Sequence, residues 1–515
     1  MYRRTDFAQT TIDDFILPFG GKLSAQNRWV RMAELMPWEL VDELYAESFA
    51  NERTDGRPAY SSRIAFGAIF IKETENLTDV RTVENISENP YMQYFLGLKA
   101  FDIKPLFDPS LMVYFRKRFK AEDVAKVNEE LYRRMCENDS NNNNSGGANT
   151  GNSQGKKTDN KSAKTAPDST QIELRAEEDT NKNRGKLVID ATCAPSDIRY
   201  PQDLSLLNEC RENTEKTIDY LWERTERKGH KTAYSRKKAR KEYLAVAKQR
   251  KPRKNTTRKA IGQQLGYLAS NLKTIEDILS KTGVDVLPPR KLKRLFDIQE
   301  VYRQQKYMFD NHTHKCEKRI VKLRQPFMRP IVRGKAGKNV EFGQKLEFSI
   351  VDGFTFIEKQ QWEPYNESTG LIDSIERYRE RFGHYPEAVQ VDQIYRNKKN
   401  RAYCKSKGIR ISGPKLGRPS NDKTKVEEDA ELAYRDGCER NIVESRNGIV
   451  KRRYGLDLIM AYLQETAETE AALNVLAMNM AHCLRRLLRA FLRICISFAK
   501  FLLYDRCVEK CALFS

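Results

Sequence analysis

This chain predicts an α/β fold, in which a mixed-sheet domain carries a helical insertion and follows an all-helical domain. Three observations carry that reading. Apolar residues recur at helical spacing up to about residue 136, short apolar runs that deliver carboxylates recur after residue 185, and a stretch almost without apolar residues separates the two. With 515 residues the chain is long enough for several domains and a large core.

The segments "WELVDELYAESFA" and "SSRIAFGAIFIKETENLTDVRTVENI" carry the helical spacing of the first region, with Gly56-Arg57-Pro58 as punctuation between them. Thr78 or Asp79 reads as an N-cap and Asn89-Pro90 as a breaker. Short helices and turns of this kind suit a helix-turn-helix-like DNA module and an ordinary bundle equally well. Residues 1–136 are therefore expected to form a DNA-binding or assembly domain. Residues 137–184, rich in Asn, Ser, Gly and Lys, bury too little to offset chain entropy and predict a disordered linker.

Order resumes at "GKLVIDATCAP", where Leu187-Val188-Ile189 predicts a strand that ends on Asp190. A basic helical insertion follows, at about 202–335. "KLEFSIVD" and "FTFIEKQ" predict a hairpin around Gly353. "ESTGLIDSIERYRERFG" predicts a helix stopped by Gly383, "EAVQVDQIY" a strand with Asp392 near its end, and "GIRISGPKLGRP" a last strand. Helices close the domain at about 488, and 489–515 form a basic, hydrophobic tail. Without the insertion, the order is that of an RNase H-like α/β fold.

Lys and Arg number 92 against 71 Asp and Glu, a net charge of +21. Between Arg224 and Lys259 sixteen Lys/Arg face two Glu, and a stripe this dense points to a polyanion, nucleic acid first. A solvated pair of basic helices is the plain alternative. Ten scattered Cys suit free thiols in a reducing cytosol better than a disulfide framework. The tail "LRRLLRAFLRICISFAKFLLY" is broken by Arg485, Arg486, Arg489, Arg493 and Lys500. It reads as a basic amphipathic helix or an oligomer contact, not a membrane span.

"NIVESRNGIVKRRYG", from Asn441, sets Ile442, Val443, Ile449 and Val450 around charges. With Glu444 at zero on a helical wheel, Lys451 falls near −20° and Arg440 near −40°, while the four apolar residues centre near roughly 200°. A salt-bridged surface is one reading of such a row. The chemical reading joins Glu444 to Asp190 and Asp392 at the strand ends, where open α/β sheets bind ligands. Three carboxylates meeting there repel one another unless cations join them. Mg²⁺ is the usual partner beside phosphates, and two such ions can promote in-line phosphodiester displacement; Mn²⁺ is expected to substitute. Arg440 then suits a bidentate phosphate contact and Lys451 a point-charge one.

The segments "VIDATCAPSDIRYPQDLSLL", "RPIVRGKAGKNVEFGQK", "VQVDQIYRNKKN" and "CERNIVESRNGIVKRRYGLD" resemble those of bacterial insertion-sequence transposases of the DDE class. The resemblance covers the N-terminal region and most of 185–487. It implies that Asp190, Asp392 and Glu444 are the catalytic, metal-binding carboxylates. Arg440, Glu444 and Lys451 match the family's Y-x2-R-x3-E-x6-K pattern, whereas its Tyr position is Gly437. It also makes Arg199, Tyr200, Arg333, Lys335, Phe342, Gly343 and Lys345 candidates for contacting DNA or shaping the site, beside Arg236, Lys237, Lys238, Arg240 and Lys241 of the basic stripe. The implied activity is binding of double-stranded DNA at the ends of a mobile element, metal-dependent strand cleavage, and strand transfer into target DNA, by a homodimer or higher assembly at the nucleoid. A related nuclease, and a non-catalytic DNA-binding derivative, are the alternatives.

Overall fold

The computed structural model describes residues 2, 11–18, 20–50, 58–144, 183–224, 235–332, 340–414 and 422–512. It is a mixed α/β structure. The helices α1 (Arg28–Leu35), α2 (Trp38–Glu47), α3 (Ser62–Glu75), α4 (Asp79–Glu88), α5 (Pro90–Phe95), α6 (Leu111–Arg118) and α7 (Ala121–Asn144) come first. Thr78 caps α4 by accepting the Arg81 amide. Asn89 ends that helix and caps α5, whose first residue is Pro90, where a missing N–H costs nothing. The helix α7 runs eight residues past 136, into the segment expected to be linker. Its buried Val124, Val127, Leu131 and Met135 anchor it, and a polar run can continue a helix once it is nucleated. The remainder of that linker, 145–182, lies outside the described residues; Arg184 is already bonded to the Tyr385 carbonyl at 2.9 Å.

The strands are β1 (Lys186–Pro195), β2 (Arg329–Val332), β3 (Val340–Val351), β4 (Phe354–Gln361), β5 (Ala388–Gln390) and β6 (Arg410–Ile411). One sheet runs in the order β2-β3-β1-β5-β6, with β4 also on β3. The pairs β1–β3, β2–β3 and β3–β4 are antiparallel, whereas β5 lies parallel to β1 and β6 parallel to β5. The β3–β4 turn is the expected hairpin: Asp352 and Gly353 both have positive φ, at 51° and 82°. The helix α12 (Leu371–Phe382) stops at Gly383, φ 78°, as expected. A short helix, α13 (Lys398–Ser406), links β5 to β6.

Between β1 and β2 lies a separate helical bundle of α8 (Asp203–Arg224), α9 (Arg236–Ala247), α10 (Lys254–Thr282) and α11 (Pro289–Asp310). It has small cores of its own, such as Leu207, Cys210, Leu268, Ile298 and Leu323.

Two long helices close the chain, α14 (Lys423–Tyr454) and α15 (Gln464–Ala512). The second passes without a break through 488–489, where a tail was expected to begin. No helix among the described residues is long and apolar enough to cross a membrane. The first half of α15 is buried on nearly every side (Ala471, Leu473, Leu476, Met480, Cys483) and binds the N-terminal helices to the sheet. Asn479 donates to Asn128 of α7 at 2.7 Å and to the Thr355 carbonyl of β4 at 2.7 Å. Arg381 of α12 reaches Glu129 of α7 at 2.6 Å and the buried Glu358 of β4 at 2.7 Å. One apolar core therefore extends from Phe15 to Cys483.

Candidate active site at the sheet ends

Leu187, Val188 and Ile189 bury β1, as their apolar run predicts. Asp190 does not end the strand, which β3 continues to pair as far as Pro195. It does lie just beyond the parallel β1–β5 ladder, whose last pair is Val188 with Gln390. Asp392 follows β5 by two residues and opens a 3-10 turn at Gln393–Tyr395. Adjacent parallel strands thus bring the two carboxylates near each other. Burial above all, with the charges of Asp392 and Glu367, pushes the Asp190 carboxyl up to about 6, against the opposing effects of a backbone hydrogen bond from Ala191 and the charge of Arg440.

The helix α14 is held across these strand ends by polar contacts. Lys186 of β1 pairs with Glu439 at 2.7 Å, Gln390 of β5 donates to Glu439, and Arg410 of β6 grips Asp436. Val443 is buried against Val188 and Ile350. The buried side of α14 is Val443, Arg446, Val450 and Tyr454, centred about 45° from the mean of the four apolar residues. Ile442, expected inside, is 45% exposed. Arg446 takes an inner position because it faces His482 Nδ1 at 2.8 Å. Burial and the surrounding arginines push that imidazole down to about 4, so at neutral pH it is uncharged.

The charged row lies at the border of this buried side. Arg440 is ion-paired with Asp392 at 2.5 Å. Glu444 is exposed, and Lys451 is half-buried farther along the same row. Asn447, three residues after Glu444 and seven after Arg440, approaches Asp190 Oδ2 at 3.4 Å. Among the described residues no three His, Cys, Asp or Glu side chains converge closely enough to hold an ion. Asp190 and Asp392 are therefore brought together, with Glu444 standing off in solvent one turn from Asn447.

The other sequence candidates scatter. Lys345 pairs with Glu367 at 2.7 Å, and its side chain is only 15% exposed. Tyr200 is exposed and stacks edge-on against Phe342 at 5.6 Å; Arg199 beside it is exposed. Gly343 is required where β3 crosses β1, since a Cβ there would lie 2.1 Å from the Ala194 carbonyl oxygen. Arg333 and Lys335 lie outside the described residues. On α9, Arg236 binds Asp219 through two bonds of 2.8 and 2.9 Å, while Lys237, Lys238, Arg240 and Lys241 stand exposed. Sequence reasoning missed Asn447 and Glu367. The spacing of Asn447 from Arg440 and Glu444 could have found it, but Glu367 leaves no such signal.

Residues 389–481 match the family described as "Transposase DDE domain", and residues 18–118 match "Transposase domain (DUF772)". The chain is 34% identical over 105 residues to an uncharacterized protein, ORF8 in the nfe locus of Rhizobium meliloti, a stretch covering 20% of this chain and 49% of that protein. It therefore spans about half the length of the curated relative it matches. No solved structure matches. The first family segment holds Asp392, Arg440, Glu444, Asn447 and Lys451, and the second covers the helices from α1 to α6. These two matches, each over part of the chain, support an insertion-sequence transposase of the DDE class.

Proposed function

We propose that this chain binds the ends of its mobile element, cuts DNA strands there and joins the freed 3′ ends to target DNA. The observation that carries this reading is the placement of Asp190 and Asp392 beside each other, past the end of the parallel β1–β5 ladder, under the charged row of α14. Apart from the added strand β2, three antiparallel strands (β1, β3 and β4) followed by two parallel ones, with β1 central, also support an RNase H-like catalytic domain.

The donors suit a hard divalent cation such as Mg²⁺ in their chemistry. All are oxygens, three are carboxylates, the charge of Asp392 makes ionised Asp190 more costly, and Asn447 Oδ1 is buried with no hydrogen-bond partner. Asp190, Asp392 and Glu444 would hold it. When bound, such ions activate an attacking oxygen and stabilise the leaving one in phosphodiester displacement. The chain's own groups do the rest. Arg440, released from Asp392, has the planar fork to hold a DNA phosphate in two bonds. Lys451 adds positive charge farther along the row. The exposed lysines and arginine of α9 supply sequence-independent attraction to the DNA backbone.

The test is a strand-cleavage and joining assay on a duplex carrying the element's end. Asp190→Asn, Asp392→Asn and Glu444→Gln should each lose cleavage in Mg²⁺ or Mn²⁺ and keep end binding. Cleavage at the wild-type rate in any variant removes that residue from the site. Cleaved product that never becomes attached to a target plasmid would make the chain a nuclease, and binding without cleavage would make it a non-catalytic derivative.

A further inference from the structure

Asn447 stands on α14 between the buried side, with Val443 and Val450, and the charged row of Arg440, Glu444 and Lys451. Its amide nitrogen lies 3.4 Å from Asp190 Oδ2. The opposite orientation of the amide would set its oxygen against a carboxylate oxygen, so the nitrogen faces Asp190. That choice leaves Oδ1 buried without a hydrogen-bond partner. A buried oxygen left unmatched is costly, and in a folded protein it calls for an explanation. Asp190 and Asp392 raise the local negative charge, and Glu444 is one turn away on the same helix. A hard cation accepts side-chain amide oxygens as well as carboxylates, so one ligand would satisfy the orphan oxygen and neutralise its neighbours together.

We propose that Asn447 is a fourth oxygen donor of a divalent-cation site, holding Asp190 through its amide nitrogen and facing the cation, or water carried by it, with its carbonyl oxygen. The proposal rests on the metal-dependent reading above and adds a residue to it. It also gives the helix a neutral ligand where a further carboxylate would add repulsion.

Mn²⁺ titrated into the full chain without DNA, followed by loss of the free-ion electron paramagnetic resonance signal, tests it. Asp190→Asn should lose binding. Asn447→Leu, close in shape but without polar atoms, should weaken binding by about tenfold or more. Asn447→Asp keeps an oxygen donor and should bind at least as tightly as wild type. Thermal unfolding of each variant checks the fold, and the Asp variant carries the test if the Leu variant does not fold. Binding by Asn447→Leu within twofold of wild type, with Asp190→Asn inactive in binding, overturns the role of Asn447. Binding by a folded Asn447→Asp about tenfold or more weaker than wild type, with Asp190→Asn inactive in binding, overturns the oxygen-donor assignment whether or not the Leu variant folds. If Asp190→Asn itself binds like wild type, the metal reading of the carboxylates fails before Asn447 enters.

Discussion

At the sheet ends Arg440 lies 2.5 Å from Asp392 and Lys345 lies 2.7 Å from Glu367, whereas on α9 Lys237, Lys238, Arg240 and Lys241 extend into solvent. The same residue types are thus used in two ways. In the first region each cation compensates a carboxylate that the fold holds near other carboxylates. In the second, one nearby acid, Glu242, accepts from Tyr267 at 2.9 Å, and the stripe keeps its charge. Charge that is spent internally adds little long-range field, while charge left exposed attracts a polyanion from a distance. The count of Lys and Arg in a sequence therefore does not rank surfaces for DNA binding; pairing does. Arg236 shows this within a single helix, since it is tied to Asp219 beside four exposed neighbours.

Four measurements test this contrast. The largest effect belongs to the sheet ends, where Asp392→Asn should lower strand cleavage by about a thousandfold or more, as expected when several kcal/mol of metal-supplied stabilisation is removed. End binding measured on the same variant should stay near wild type. Next is the internally paired charge. Glu358 is fully buried and its partner Arg381 also reaches α7, so Arg381→Ala should cost about 3–5 kcal/mol in denaturant unfolding. A loss below about 1 kcal/mol would mean the pair behaves as surface charge.

The exposed stripe should show itself in salt dependence. Replacing Lys237, Lys238, Arg240 and Lys241 with Ala should make the slope of log K against log salt shallower by up to about 3.6, with little loss of thermal stability. An unchanged slope would place DNA elsewhere. Adding Arg236→Ala should lower stability and change the slope little further, because its charge is already engaged. The smallest effect concerns the cost of the site itself. The Asp190 carboxyl is raised from 3.8 to about 6, so the folded protein binds its proton more tightly than the unfolded chain does. Without metal, this group's contribution to stability falls as pH rises from about 4 to 6. Asp190→Asn should therefore stabilise the metal-free protein at pH 7, by at most about 3 kcal/mol, and remove that part of the pH dependence. A variant less stable than wild type at pH 7 would show that the Asn447 contact outweighs the burial of charge.

Local signals were legible wherever a single residue type sets the backbone. Thr78, Asn89-Pro90, Gly353 and Gly383 each mark the turn or cap that the structure contains. Of the four apolar residues placed inward on α14, Val443 and Val450 are buried, Ile449 is half-buried and Ile442 is exposed. The buried side of the helix is turned because Arg446 can enter the core against a neutral His482, which no wheel built on hydrophobicity anticipates. Strand ends were less legible, because the length of β1 depends on how far β3 accompanies it.

Most of the order of elements, the basic insertion after the first strand, and the helical row that carries Arg440, Glu444 and Lys451 were readable from the residues, but β2 (Arg329–Val332), which joins the sheet inside the span expected to be helical insertion, was not. The readable features follow from short-range rules: apolar periodicity, turn residues and charge spacing. The shared core of the N-terminal helices and the sheet through α15, the internal pairing of Lys345 and Arg236, and the approach of Asn447 to Asp190 arise in the folded chain alone. The physical reason is that partners such as Asn447 and Asp190, 257 positions apart in the chain, meet only after the sheet has formed and α14 has been fastened across its ends.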